Sequence, residues 1–299
     1  MVLSTLRRTV SLACAMALAF GAVFTSAAGG VSSGLPNPSR ALLGSGDYVE
    51  HLMSGGLHRL FVLHVPPGRP AVGRPLILVF PGAAATALYT ISITNFEQMA
   101  DRKGDLVAFM QGYGDIFNEG TGSNPSEMAH INDVAYTSAV LARLNVLTAY
   151  NIKRVAAAGF SNGAMMVELL GCRLARQLHV IVPVEGELPV PVSRRCVPSA
   201  PVSVFEIHGT ADTGIPYAGG TFAGTGGPVT VLSALQSARR WAYLDGCRRQ
   251  QIGVSGSAVS TIRYSKCRSG ATVTLRTLIG GVHVWAPDIG QIVTTALGS

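Results

Sequence analysis

Short, near-continuous apolar runs alternate along this chain with longer segments of helical character, and no other feature narrows its fold so far. Arg59–Val65, Pro75–Phe80, Leu106–Met110, Arg154–Ala158, Val180–Val184, Val202–Ile207 and Thr272–Ile279 read as strands. Ser92–Lys103, Asn132–Tyr150, Asn162–Gln177 and Val229–Asp245 read as helices. A strand that is apolar at successive positions, rather than at every second one, is suited to burial on both faces, as in a parallel sheet with helices on either side. The alternation therefore predicts a three-layer α/β domain with a mostly parallel central sheet. No internal repeat interrupts it. Ligands of such sheets lie beyond the carboxyl ends of the strands, so the loops that follow strands are where chemistry is sought.

The first 28 residues stand apart. Arg7 and Arg8 precede an apolar run from about Val10 to Phe24, and Thr25-Ser26-Ala27-Ala28 follows it, the pattern of an export signal cleaved after Ala28. Cys14, behind Ser11-Leu12-Ala13, offers a lipid-anchored alternative that fits less well, because the apolar run continues past it. No later stretch approaches the ~20 apolar residues of a membrane span. The expected organisation is thus a signal over 1–28, a Gly-, Ser- and Pro-rich lead-in over 29–45, and one catalytic domain over 46–299. With 48% apolar and 13% charged residues the chain is globular. Its formal charge of +7 comes partly from scattered arginine pairs without interleaved aromatics, which reads as a solvated basic surface and not as a nucleic-acid footprint. Beyond the signal lie Cys172, Cys196, Cys247 and Cys267, an even set that in an exported protein suggests two disulfides. Three pairings are possible, and the sequence-local one, Cys172–Cys196 with Cys247–Cys267, is favoured.

Gly159-Phe160-Ser161-Asn162-Gly163 matches the G-x-S-x-G pattern. The pattern alone says little: Gly30-Val31-Ser32-Ser33-Gly34 matches it too, inside the lead-in. Context separates the two, since only Ser161 follows an apolar strand and precedes a strong helix former, the strand–turn–helix of a nucleophile elbow. A serine hydroxyl attacks only when a base takes its proton and a carboxylate orients that base. In α/β-hydrolases these follow in the order Ser, acid, His. Of seven histidines only His283 lies after the candidate acid Asp212, in Gly280-Gly281-Val282-His283-Val284-Trp285. Among the acids, Asp212 occupies a glycine-opened loop directly after a strand, Ile207-His208-Gly209-Thr210-Ala211-Asp212-Thr213, with Glu185 as runner-up. The oxyanion donors expected are the backbone N–H of Asn162 and, from the loop Phe80-Pro81-Gly82-Ala83-Ala84-Ala85, that of Ala83.

These segments, together with Asn132-Asp133-Val134-Ala135-Tyr136 and the continuation Gly214-Ile215-Pro216-Tyr217, resemble the secreted esterases grouped with extracellular polyhydroxybutyrate depolymerases and feruloyl or acetylxylan esterases, over about Tyr48 to Pro287. The resemblance implies a three-layer α/β-hydrolase fold with a mostly parallel sheet, Ser161, Asp212 and His283 as a triad, and a substrate cleft bordered by Trp285 and the Asn118-Glu119-Gly120 loop. The chain departs from the pattern in three places. Pro81 precedes Gly82 where such enzymes commonly have His, Phe117 stands where Trp is usual, and Ala286 separates Trp285 from Pro287.

The function expected is a secreted serine esterase that hydrolyses carboxylic esters, small or polymeric, through an acyl-enzyme. No metal or organic cofactor is implied, because no His, Asp or Glu cluster has ligand spacing. The glycine-rich Gly219–Gly227 lacks the strand and helix context of a phosphate loop and reads as a flexible loop near the cleft. Two other readings share the scaffold: a catalytically silent cell-wall or lipid-binding protein, which a fluorophosphonate probe would not label, and a serine peptidase, which a peptide panel would separate.

Overall fold

The pattern of burial in the strands explains the architecture. In the computed structural model, which describes residues 43–68, 72–255 and 257–298, twelve strands form. They are β1 Gly46–Ser54, β2 Leu57–Val65, β3 Leu76–Phe80, β4 Leu106–Met110, β5 Val155–Phe160, β6 Val180–Val184, β7 Ser203–Gly209, β8 Gly220–Ala223, β9 Pro228–Val231, β10 Arg249–Ser255, β11 Val259–Ser265 and β12 Val273–Leu278. Eight α-helices accompany them: α1 Ala87–Ile93, α2 Phe96–Lys103, α3 Pro125–Met128, α4 Asp133–Thr148, α5 Asn162–Arg173, α6 Val190–Arg195, α7 Ala234–Leu244 and α8 Ile289–Ala296. The export signal expected over 1–28, and the lead-in as far as residue 42, lie outside the described residues.

Ten strands make one sheet in the order β1-β2-β4-β3-β5-β6-β7-β12-β11-β10. Its centre, β4 to β12, is parallel throughout, and the pairs at both wings are antiparallel. In β3, β4 and β6 every residue is buried. Successive side chains of a strand point to opposite faces, so Leu76, Leu78 and Phe80 join α4, α5 and α7 in one core layer. Ile77 and Val79 join α1, α2 and α8 in the other. A fully buried Leu or Ile contributes roughly 1.5–3 kcal/mol against staying exposed, which is why a five-residue run suffices to fix a central strand. The three-layer α/β arrangement expected from the sequence is therefore the one observed.

Three expected elements differ. Ser92–Lys103 is not one helix: α1 ends at Thr94, whose hydroxyl donates back to the Thr90 carbonyl at 2.7 Å, and α2 starts anew at Asn95, whose carbonyl accepts from the Met99 N–H. Val229–Asp245 begins as β9, and α7 starts only after Ser233, which forms a reciprocal capping box with Gln236. Gly219–Gly227 is not a free loop. Its first part is β8, paired with β9 in a hairpin whose Phe222 and Val229 pack with Met165, Ile215 and Val231.

The cysteines pair as Cys172–Cys196 and Cys247–Cys267. The first joins the end of α5 to the end of α6, and the second joins the turn after α7 to the end of β11. Replacing Cys172 and Cys196 together by Ala is expected to remove about 3 kcal/mol of unfolding free energy, the loop-closure value for a bridge of this span. A denaturant titration with an unchanged midpoint would refute it.

Candidate active site

The chain runs from β3 out to β4 and returns to lay β5 on the other side of β3, so the loops after β3 and β5 diverge from one crevice. Ser161 stands there, between β5 and the first turn of α5, with φ 55° and ψ −117°. A non-glycine residue tolerates this backbone only where its surroundings over-determine it. Here the Ser161 N–H is held by the Val184 carbonyl at 3.0 Å, and the Met165 N–H donates to the Ser161 carbonyl at 3.1 Å. The turn also packs against β3 with no room to spare. A Cβ on Gly163 would lie 2.1 Å from the Phe80 carbonyl oxygen, and one on Gly159 would lie 2.1 Å from that of Gly163. The two glycines of the motif are thus required by contact between backbones.

Asp212 follows β7 and His283 follows β12, both at carboxyl ends of adjacent parallel strands. Their loops are joined along their length. The Thr210 N–H donates to the Leu278 carbonyl at 2.9 Å, the Ala211 N–H to the Gly281 carbonyl at 2.9 Å, and the Gly280 N–H to the Thr210 hydroxyl at 2.8 Å. The outcome is a line of three side chains: Ser161 Oγ to His283 Nε2 at 3.0 Å, and His283 Nδ1 to Asp212 Oδ2 at 2.7 Å. Asp212 Oδ1 accepts from the N–H groups of Gly214 and Ile215 at 2.6 and 2.9 Å. Burial works against the charge of Asp212, but the hydrogen bonds from His208 and His283 outweigh it and hold the carboxyl well below the usual carboxylate range.

Glu185, the other acid considered, does not join this line. Its backbone is left-handed, with φ 49°, and its carboxyl accepts from the Gly209 N–H at 2.9 and 3.1 Å. Burial pushes it up to about 8.

Asn162 and Ala83 line the same cavity as Ser161 and His283, a pocket of about 150 Å³ roofed by Phe222 and Val229 of the hairpin. The Asn162 carboxamide fixes the loop after β4: Oδ1 accepts from the Phe117 N–H at 2.9 Å, and Nδ2 donates to the Phe117 carbonyl at 3.0 Å and to Glu119 Oε2 at 2.8 Å. Glu119 is buried in the wall of this pocket, and burial pushes its carboxyl up to about 7 against the hydrogen bonds from Thr121 and Asn162. Asn118 is not brought to the pocket. Its side chain donates to the Ile131 carbonyl at 2.6 Å and accepts from the Gly120 N–H, and it lines a different hollow, beside Ile131 and Val134. Its neighbour Glu119 faces the cleft instead. Trp285 stacks on Phe160, which also touches the His283 ring at 4.7 Å between centroids. Trp285, Phe160, Tyr89 and Ile93 line a second, larger cavity of about 470 Å³ that shares Ala83 and His283 with the first.

Several residues that shape the site lie in the segments that carry the resemblance, yet the sequence alone assigns them no role of their own. Asp133 and Tyr136, in the Asn132–Tyr136 segment, act at a distance. Asp133 is paired with buried Arg59 at 2.6 Å and accepts from the Asn118 N–H at 2.7 Å, while Arg59 lies 3.8 Å over the Tyr136 ring. They pin the loop after β4 to β2. His208 stands before Asp212 in the chain and so drops out of a search ordered Ser, acid, His that takes Asp212 as the acid, yet its Nε2 lies 3.2 Å from Asp212 Oδ2.

Two groups among the described residues bring three potential metal-ligating atoms within 4.8 Å of one another: Asp47, His64 and Glu97, and Glu185, His208 and Asp212. In each the imidazole is engaged through both nitrogens. His64 meets Asp47 at 2.7 Å and Asp101 at 3.0 Å, and His208 meets Glu187 on one side and the Ile215 carbonyl at 2.9 Å on the other.

Comparison with known proteins gives the same picture. The model of the Phospholipase/Carboxylesterase family matches residues 118–224, a stretch that contains Ser161 and Asp212. Feruloyl esterase B of Piromyces equi is 27% identical over 213 residues, 70% of this chain and 39% of that protein, so the chain spans well under half of that relative. The putative esterase NocK of Nocardia uniformis subsp. tsuyamanensis is 28% identical over 255 residues, 79% of this chain and 73% of its own. Among solved structures, acetyl xylan esterase from Aspergillus awamori superposes with a TM-score of 0.62 at 10% identity, covering 84% of this chain and 99% of that one. The family resemblance read from the motifs and the α/β-hydrolase fold are both borne out.

Gly163→Ala is expected to cost about 3 kcal/mol, because the added methyl can be seated only by moving backbone away from β3. Thermal unfolding measures this, and a variant that melts with the wild type would contradict the close approach described above.

Proposed function

We propose that this chain is an exported serine esterase, with Ser161 as nucleophile, His283 as general base and then general acid, and Asp212 as the group that orients His283. The observation that carries the reading is the unbroken line from Ser161 Oγ to His283 Nε2 at 3.0 Å and from His283 Nδ1 to Asp212 Oδ2 at 2.7 Å. Hydrogen-bond reach between nucleophile and base, with a carboxylate on the far ring nitrogen, is what activates a hydroxyl at neutral pH. The similarity to proteins named feruloyl esterase and putative esterase supports an ester as substrate.

In this mechanism His283 takes the Ser161 proton as Oγ attacks the ester carbonyl. The tetrahedral oxyanion is met by the backbone N–H groups of Asn162, at the positive end of α5, and of Ala83. His283 returns the proton to the departing alkoxide, which leaves an acyl-enzyme. Water, deprotonated by the same imidazole, then releases the acid and restores Ser161. Asp212 remains ionised throughout and stabilises the imidazolium. The two cavities that meet at His283 would take the two sides of the ester, a compact group beneath the hairpin and a larger apolar one against Trp285. Export after cleavage behind Ala28 agrees with the two disulfides, which persist in oxidising compartments.

Ser161→Ala is expected to abolish release of p-nitrophenol from short acyl esters and labelling by a fluorophosphonate, while Asp212→Asn loses roughly 10⁴-fold in kcat. Unchanged turnover in Ser161→Ala would remove the assignment. A chromogenic series from acetyl to palmitoyl, run beside methyl ferulate, a polyhydroxybutyrate suspension and a peptide panel, would define the substrate. For export, N-terminal sequencing of protein from the culture medium should begin at Gly29, and a chain that stays inside the cell would refute it.

A further inference from the structure

Behind the proposed triad the line of contacts continues. Asp212 Oδ2 lies between two imidazoles, His283 Nδ1 at 2.7 Å and His208 Nε2 at 3.2 Å. His208 is fully buried at the end of β7. Its Nε2 also meets the Ile215 carbonyl at 2.9 Å, and its Nδ1 is hydrogen-bonded to Glu187 Oε1. A carbonyl accepts only, so Nε2 must carry a proton. Glu187 and Asp212, one on each nitrogen, favour a proton on both.

Acidic groups surround the ring, though burial leaves several of them protonated at neutral pH, Glu185 among them at about 8. Glu185 Oε2, on the turn after β6, stands 3.4 Å from Nε2, and Tyr217 meets the ring edge-on at 5.7 Å. Glu206 of β7 contacts Glu187, and Glu168 of α5, which accepts from the Trp241 indole N–H at 2.5 Å, lies behind it. Burial alone would lower the imidazole, but Asp212 and Glu187 raise it to about 10, so His208 is a buried cation at neutral pH. Burial keeps Glu168 and Glu206 well above the ordinary range and therefore uncharged, which leaves His208 as the counter-charge for the Asp212 side of this cluster.

We propose that His208 is a positioning residue for the reaction: as a doubly protonated ring anchored on Glu187, it keeps Asp212 ionised and aimed at His283. This rests on the reading of Ser161, Asp212 and His283 as the triad. His208 touches neither substrate nor the reacting atoms and acts only through Asp212. Losing its charge removes a donor and a cation from a carboxylate that burial would otherwise neutralise, so as pH falls Asp212 takes up its proton sooner.

The test compares wild type, His208→Gln, Glu187→Gln and Ser161→Ala on p-nitrophenyl acetate across pH, with thermal unfolding as the check on folding. In His208→Gln kcat should fall about tenfold or more, and the fall should deepen as pH drops and the unsupported Asp212 carboxyl takes up its proton. The loss should fall on kcat and leave KM nearly unchanged. In Glu187→Gln the ring keeps its place but holds its second proton less tightly, so the alkaline fall should move down from about 10. ¹⁵N-labelled histidine NMR on the wild-type protein gives an answer independent of any variant's folding: both His208 nitrogens should be protonated at pH 7. A neutral His208 in that spectrum would overturn the proposal, as would wild-type pH profiles in both variants. If Ser161→Ala still turns over, the triad reading itself has failed. If Ser161→Ala is dead while the two variants keep wild-type profiles, only the role of His208 is lost.

Discussion

The contact of the β5–α5 turn with the end of β3 is the constraint on which the rest of the site depends. With Gly163 seated on the Phe80 carbonyl, Ser161 is held in a backbone conformation that its own side chain disfavours, and α5 begins under it. Ala83, in the loop after β3, and Asn162 line one pocket with the serine. From there the Asn162 carboxamide locks the loop after β4, and that loop is tied through Asp133 and Arg59 to β2. A local steric fact thus propagates through hydrogen bonds to the far side of the sheet.

Charge is organised by the same economy of space. Five acidic side chains, Glu168, Glu185, Glu187, Glu206 and Asp212, are buried near one another, an arrangement that would be prohibitive if all were ionised. The cluster resolves the conflict by dividing its members. Glu168 and Glu206 stay neutral because they are fully enclosed, whereas Asp212 gathers two backbone N–H donors from its own loop and contacts from two imidazoles and stays charged. Environment separates otherwise like groups, as it does wherever paired carboxyls take different roles.

Central strands were legible in the sequence because burial on both faces leaves an uninterrupted apolar run, as in Val180–Val184. The outer strands were not, since β1 and β10 form the sheet edges, β11 lies next to β10, and polar residues break up the apolar run in all three. Helix boundaries failed where a side chain intervened: Thr94 ends α1, and Ser233 restarts the chain as α7 after a strand. At the site, Ser161, Asp212 and His283 could be found by chain order and loop position, and the fold brings them together. His208 could not be found that way, because its role lies in a contact across a turn and not in its place along the chain. Asn118 shows the opposite error. A motif position implies proximity to a cleft, but adjacent residues of an extended loop face opposite ways, and Glu119 took the inward one.

The bridge between Cys172 and Cys196 sets the order in which this molecule can come apart. It ties the far end of the helix that starts at Asn162 to the segment that carries Glu185 and Glu187 on its way to α6. Thermal fluctuations that strip away the sheet edges or the hairpin leave this staple in place, so the elbow and its acidic support detach as one cooperative unit or not at all. Amide exchange in β5, α5 and β6 would then share a single opening event, slower than that of the wings.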